Sequence, residues 1–211
     1  SWYEAEFEKR EKERLARERD LQRPTRVIPT GYPVRLISPE WLAKLQRAVQ
    51  SGQGHSVAKS LAGDDLYQRD IITCIRPEAW LNDEIINAYL SLLVHYLRQS
   101  HGNLGPGDRP LFHAFNTFFY STLRDKGYEG VQRWAKRAKI GGEGLLNVDT
   151  VFIPVHESSH WTLMVVRPAE RTIEYFDSLG SRGPRQVKNV KQWLRGELGS
   201  QYNDAQWTVL P

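Results

Sequence analysis

The residues of this chain best suited to acid–base chemistry are His160 and Asp177. Each stands at the end of an apolar, β-prone run, residues 161–166 after the His and 172–176 before the Asp. Pair those runs as an antiparallel hairpin turning through residues 167–170, and His160 falls directly opposite Asp177. Their Cβ atoms are then roughly 5 Å apart on one face. A two-residue turn at 168–169 gives the same pairing, but Pro168 suits the primed turns poorly. A three-residue turn would send the two side chains to opposite faces. A carboxylate at that distance accepts a hydrogen bond from one imidazole nitrogen, fixes the tautomer and leaves the other nitrogen to act as a general base. This is two-thirds of a nucleophile–His–acid triad, and a merely structural cross-strand pair is the competing reading.

The nucleophile is harder to find. Cys74 is the only thiol, and its neighbours Ile72, Thr73 and Ile75 read as a short buried strand, which makes it a structural cysteine. Ser158, Ser159 and Ser178 have no G-x-S-x-G elbow around them. His156 and His160 could meet on a turn, but no Cys or carboxylate cluster joins them, so neither a metal nor another cofactor is expected.

The elements that must carry the pair follow from periodicity and composition. The chain has 211 residues, 40% apolar and 11% aromatic, which is globular and enough for one domain with an appendage. A single Cys excludes a disulfide scaffold or a multi-Cys zinc site. No run of 18 apolar residues exists to span a membrane as a helix, and the acidic start lacks a signal core, which suggests cytosol or nucleus. The opening Ser1 and the apolar close at 207–211 suggest a piece of a longer polypeptide.

Residues 1–23 balance seven acids against seven bases and form a charged helical extension, stopped by Pro24 and Pro29. The net charge of +4 therefore lies in the body, too small and dispersed for a nucleic-acid footprint. Residues 24–65 form an N-terminal helical part: Ser38 caps a helix with Pro39 first and Trp41, Leu42, Leu45 and Val49 at helical spacing. Asn82 or Asp83 caps a strongly buried helix bearing Ile85, Ile86, Ala88, Tyr89, Leu92, Leu93 and Tyr96. Residues 131–139 read as a basic solvated helix with Trp134 turned inward. Strands follow at 151–155, 161–166 and 172–176. A helix then faces Val187, Val190, Trp193, Leu194 and Leu198 inward, and residues 206–210 start a last strand. The class is α+β.

Five strings, in order, carry a resemblance. Trp80-Leu81-Asn82-Asp83-Glu84-Ile85-Ile86-Asn87, Phe115-Asn116-Thr117-Phe118-Phe119-Tyr120, Gly127-Tyr128-Glu129-Gly130-Val131, His160-Trp161, and Tyr175-Phe176-Asp177-Ser178-Leu179 resemble the catalytic domain of the SUMO-specific cysteine proteases. These are also called sentrin-specific or ubiquitin-like-protein-processing proteases. The likeness covers residues 66–211, the protease core. It implies a papain-like α+β fold with a mixed sheet flanked by helices, a Cys–His–Asp triad, and a nuclear or nucleocytoplasmic location. By motif, His160 is the base and Asp177 its orienting acid. Trp80 and Trp161 match two indoles that sandwich the Gly-Gly tail of SUMO, where only residues without side chains fit. Asp83 matches a residue that binds an Arg of the SUMO body. The family's oxyanion Gln and nucleophilic Cys follow a strand resembling 207–211, so this chain stops ahead of them.

The expected activity is hydrolysis after the Gly-Gly of SUMO, in precursor maturation and in isopeptide deconjugation, by a monomer that needs no membrane or nucleic acid. Three alternatives stand beside it: a protease for another ubiquitin-like modifier, a catalytically dead SUMO-binding module, and a basic nucleic-acid-binding domain.

Overall fold

The computed structural model describes residues 36–52 and 54–210, and the charged extension expected over residues 1–23, with its stops at Pro24 and Pro29, lies outside them. The chain divides into two compact units between Lys44 and Leu45. Helix α1 (Pro39–Gln50) starts where Ser38 Oγ accepts the Trp41 N–H at 3.4 Å. Within its first unit, Lys44 pairs with Glu40 at 2.8 Å and lies 4.2 Å above the Trp41 ring.

The second unit opens with an antiparallel hairpin of β1 (Ser56–Lys59) and β2 (Asp65–Tyr67), then the short helix α2 (Gln68–Ile72). The strand expected around 71–75 is absent. Asp70 accepts the Tyr67 N–H at 2.8 Å, and Thr73 Oγ1 donates to the Asp70 carbonyl at 2.7 Å. Cys74 N–H then bonds Ile71 O and Ile75 N–H bonds Ile72 O. These local bonds capture a β-branched run into helix and turn, as short side chains at helix starts do. Cys74 is consequently exposed, not buried.

Helix α3 (Asp83–Ser100) is capped by Asn82, whose side chain accepts the Ile85 N–H at 3.1 Å. The expectation of a strongly buried helix fails: Ala88 and Leu90 are buried, whereas Tyr89, Leu92 and Tyr96 are 64%, 55% and 65% exposed. Its apolar residues wrap further round the helix than the surface beneath covers.

The main sheet runs β3 (Phe112–Ala114), β4 (Thr150–Glu157), β5 (His160–Arg167), β6 (Thr172–Phe176) and β7 (Thr208–Leu210) in spatial order. The three central strands are antiparallel and the two edge strands parallel to their neighbours, giving the expected α+β fold with a mixed sheet. Alternate residues Val151, Ile153, Val155, Met164, Val166 and Ile173 are fully buried on one face. They meet helices α4 (Phe118–Arg137) and α5 (Pro184–Leu198). Phe115 stacks on Phe119 at 3.7 Å, and the Trp193 ring stands edge-on to both at 5.5 and 5.6 Å. Trp134 packs against this cluster, and α5 buries the five residues its periodicity marked.

Two turns fix how the central strands slide. Between β4 and β5 the turn is only Ser158-Ser159, both left-handed at φ 49° and 59°, so the strands run past their expected ends. Between β5 and β6 the turn is 168–171 rather than 167–170, because Arg171 takes a left-handed φ of 54° and Arg167 pairs with Thr172. The pairing is therefore shifted by two residues from the expected one. A shift of two keeps every side chain on its face.

Helix α4 is broken at Gly127, whose φ of 64° and ψ of −165° lie where a side chain is excluded. Gly127→Ala should cost about 1–3 kcal/mol, read as a lower urea midpoint at unchanged m-value. An unchanged midpoint would mean that α4 runs through that position without a break.

Candidate active site

His160 is the first residue of β5, and Asp177 follows the last residue of β6. In the observed register Asp177 lies level with Thr162, two residues along from His160 and on the same face. The imidazole spans that diagonal, and His160 Nε2 is 2.7 Å from Asp177 Oδ1. The chain leaves the ladder at this point through a turn in which Gly180 N–H bonds Asp177 O at 3.0 Å. That turn delivers Leu179 N–H to Asp177 Oδ1 at 2.8 Å, so a fixed backbone donor holds the carboxylate. The Asp177 side chain is 6% exposed and that of His160 29%. The imidazole, and after it the Leu179 N–H, keeps the Asp177 carboxyl below its ordinary range. An ionised Asp177 accepts from Nε2–H, which leaves Nδ1 as the nitrogen free to take a proton.

Trp161 is next along β5 and points to the opposite face. Its indole N–H donates to Leu81 O at 2.8 Å, and the His156 ring stacks on it at 4.4 Å. The bond ties β5 to the segment that carries Trp80, itself 57% exposed. Beside it lies an apolar groove of about 770 Å³, lined by Leu81, Ile86 and Tyr89, by Trp161, Leu163 and Phe176 of the sheet, and by Asp177. Cys74 also lines this groove. Among the described residues no hydrogen bond joins its thiol to His160.

The remaining sequence motifs are stitched together by hydrogen bonds. Asn82, not Asp83, is the cap of α3, and its amide also donates to Asp70 Oδ1 at 2.8 Å. Asp83 opens the helix, partly exposed. Asn87 makes a reciprocal pair with Thr117: Thr117 N–H donates to Asn87 Oδ1 at 3.0 Å, and Asn87 Nδ2 to Thr117 Oγ1 at 3.3 Å. This locks the first aromatic-rich string to the Asn-Asp-Glu string and leaves Phe118 outward, 58% exposed. His156 and His160 do not meet, since their ladder partners are Trp161 and Glu157. Among the described residues no group of three His, Cys, Asp or Glu side chains could hold a metal ion, and no helix is long and apolar enough to cross a membrane.

Residues 79–209 match the family described as the Ulp1 protease family, C-terminal catalytic domain. The chain belongs to this family. It is 33% identical over 144 residues to human sentrin-specific protease 2, covering 66% of this chain and 22% of the relative. It is 37% identical over 131 residues to the Arabidopsis thaliana ubiquitin-like-specific protease ESD4, covering 61% and 26%. The chain thus spans about a quarter of the length of the curated relatives it matches. Among solved structures, the catalytic domain of the Chaetomium thermophilum Ulp1-like SUMO protease superposes with a TM-score of 0.78 at 32% identity, covering 86% of this chain and 72% of that one. The Ulp1 protease domain in complex with Smt3, the yeast orthologue of SUMO, gives 0.66 at 26% identity, covering 85% and 75%.

Sequence reasoning weighed His156 only as a metal ligand, and it missed the stacking of that ring on Trp161, the Leu81 carbonyl and Glu157. The ring and the carbonyl lie beside residues it did select, so neighbourhood was the available signal. Glu157 had none.

The Asp177 shift has a testable sign. A carboxyl lowered in the folded state stabilises it above the unfolded value, about 3.9, and that contribution is lost as pH falls through the folded value. Asp177→Asn should therefore be less stable than the parent at pH 6, and the gap should close on acidification to about pH 2–3. Denaturant melts across that range measure it; a constant gap would contradict an ionised Asp177.

Proposed function

We propose that this domain is the catalytic part of a SUMO-specific cysteine protease, with His160 as general base and Asp177 as its orienting acid. The observation that carries the reading is the Nε2–Oδ1 bond at 2.7 Å on the rim of an apolar groove. It leaves Nδ1 to face a thiol, as cysteine acyl transfer needs.

The nucleophile in this reading is a cysteine that follows residue 211. A solved Ulp1 structure is described as having its catalytic cysteine oxidised to a sulfinic acid, and the chain covers 76% of that protein. The direction of β7 supports the same placement. It pairs parallel with β6, Thr172 to Thr208 and Glu174 to Leu210, so the backbone leaving Leu210 heads for the rim that holds Asp177. Cys74 has a different position, on the turn after α2 in the groove wall.

Substrate positioning falls to Trp161 and Trp80, with the Leu81 carbonyl fixing one indole. A Gly-Gly tail laid between aromatic planes presents its last carbonyl to the thiolate, and a tail with side chains is excluded. In this reading Asp83, partly exposed at the start of α3, receives an Arg of the SUMO body. Smt3 is the partner in the Ulp1 complex, and SUMO is the substrate proposed here. Attack gives a thioester and releases the leaving peptide or Lys amine, protonated by the His160 imidazolium. Water activated by the same imidazole then hydrolyses the acyl-enzyme.

In the full-length protein, His160→Ala should lower kcat for SUMO precursor cleavage by at least about 100-fold while leaving SUMO binding intact. Trp161→Ala should weaken binding as well. Full turnover by His160→Ala would overturn the assignment, and SUMO binding without turnover by the parent would favour a binding module.

A further inference from the structure

The turn that joins β4 to β5 is short and strained, with both Ser158 and Ser159 in the left-handed region that side chains resist. Such a turn needs an anchor, and the residue before it supplies one. Glu157 Oε1 accepts from Arg124 Nη1 at 3.2 Å, and Oε2 accepts from Arg185 Nη2 at 2.9 Å and from Gln186 Nε2. The Glu157 side chain is 11% exposed. Arg124 belongs to α4 and is itself braced by two bonds to Asp125 at 2.7 and 3.0 Å, while Arg185 and Gln186 lie in the first turn of α5. One carboxylate therefore ties the hairpin to both helices behind the sheet.

Its place in the ladder gives this clamp a second consequence. Glu157 is the register partner of His160, so the two side chains leave the sheet on the same face. Among the described residues the imidazole is bonded to Asp177 beyond β6, and its ladder partner Glu157 on β4 is paired with Arg124 of α4 and Arg185 of α5. A carboxylate at position 157 without partners would compete with Asp177 for the ring. Two guanidiniums hold it instead.

We infer that Glu157 is a positioning residue for the His160 base, pinning the strained hairpin while Arg124 and Arg185 keep its own carboxylate off the imidazole. Gripped from α4 and α5, it leaves the ring a single acidic partner, Asp177. The inference rests on His160 being the base, and its test separates the two.

In the chain of residues 1–211, Glu157→Ala and the double variant Arg124→Ala/Arg185→Ala should broaden or shift the His160 side-chain NMR signals. The indole N–H signal of the buried Trp193 should stay in place, which excludes general unfolding. In the full-length protein, Glu157→Ala should lower kcat for SUMO precursor cleavage about tenfold to 100-fold, the scale of a misplacement near 1 Å, with KM nearly unchanged. Glu157→Gln, which keeps an acceptor for the arginines, should recover most of the loss. Parental His160 signals and parental kcat in Glu157→Ala would overturn the inference. So would a loss that tracks the Trp193 signal. Should Glu157→Ala fail to fold, Arg185→Ala at a two-thirds exposed side chain is read the same way. If His160→Ala itself keeps full turnover, the catalytic reading falls, and the NMR comparison still decides whether the clamp exists.

Discussion

Strand β5 is hydrogen-bonded along both edges, to β4 through a two-residue turn and to β6 through a four-residue one, and this double pairing sets where every site residue can be. His160 meets Asp177 because β6 ends one residue before the acid, and the following turn swings a backbone N–H onto the carboxylate. Trp161 meets Leu81 because it is the next residue and takes the other face. Neither contact has to be built separately once the register is set.

The register is held from behind. The inward residues of β4, β5 and β6 meet an aromatic cluster of Phe115, Phe119 and Trp193, and an interior that is close-packed permits few alternative alignments. A slip by one residue would carry Met164 and Val166 out of that core and bring Leu163 and Val165 in. The helices supply polar ties as well: Asn189 donates to Tyr120 Oη at 3.1 Å, joining α5 to α4. On the opposite face the sheet meets a groove, not a second tight layer, which is why α3 keeps aromatic side chains in the open. Rigidity on one side and access on the other is a sensible division for a site that must grip a chain end.

Much of this was legible in the sequence, and the failures have physical reasons. Helix α5 was readable down to its buried residues because apolar and basic positions alternate at the helical period. The His160–Asp177 pairing was readable because even-length turns conserve parity, but the two-residue offset was not. It depends on Arg171 adopting a left-handed conformation that no turn residue announced. The 71–75 segment was misread because β-branching is a weak bias that Asp70 and Thr73 override with local bonds. The exposure of Tyr89 and Tyr96 was invisible, since composition tells what a helix offers and not what covers it. Glu157 gave no signal because its partners come from helices 28 to 33 positions away.

The base His160 and the indole of Trp161 are consecutive residues on opposite faces of one strand. Substitution and length change are therefore not equivalent insults to β5. A substitution removes one function and leaves the other, whereas one inserted or deleted residue between the core and His160 would exchange the faces of both at once. The strand can vary in chemistry at its wetter positions, but its spacing from His160 to Val166 admits no gap.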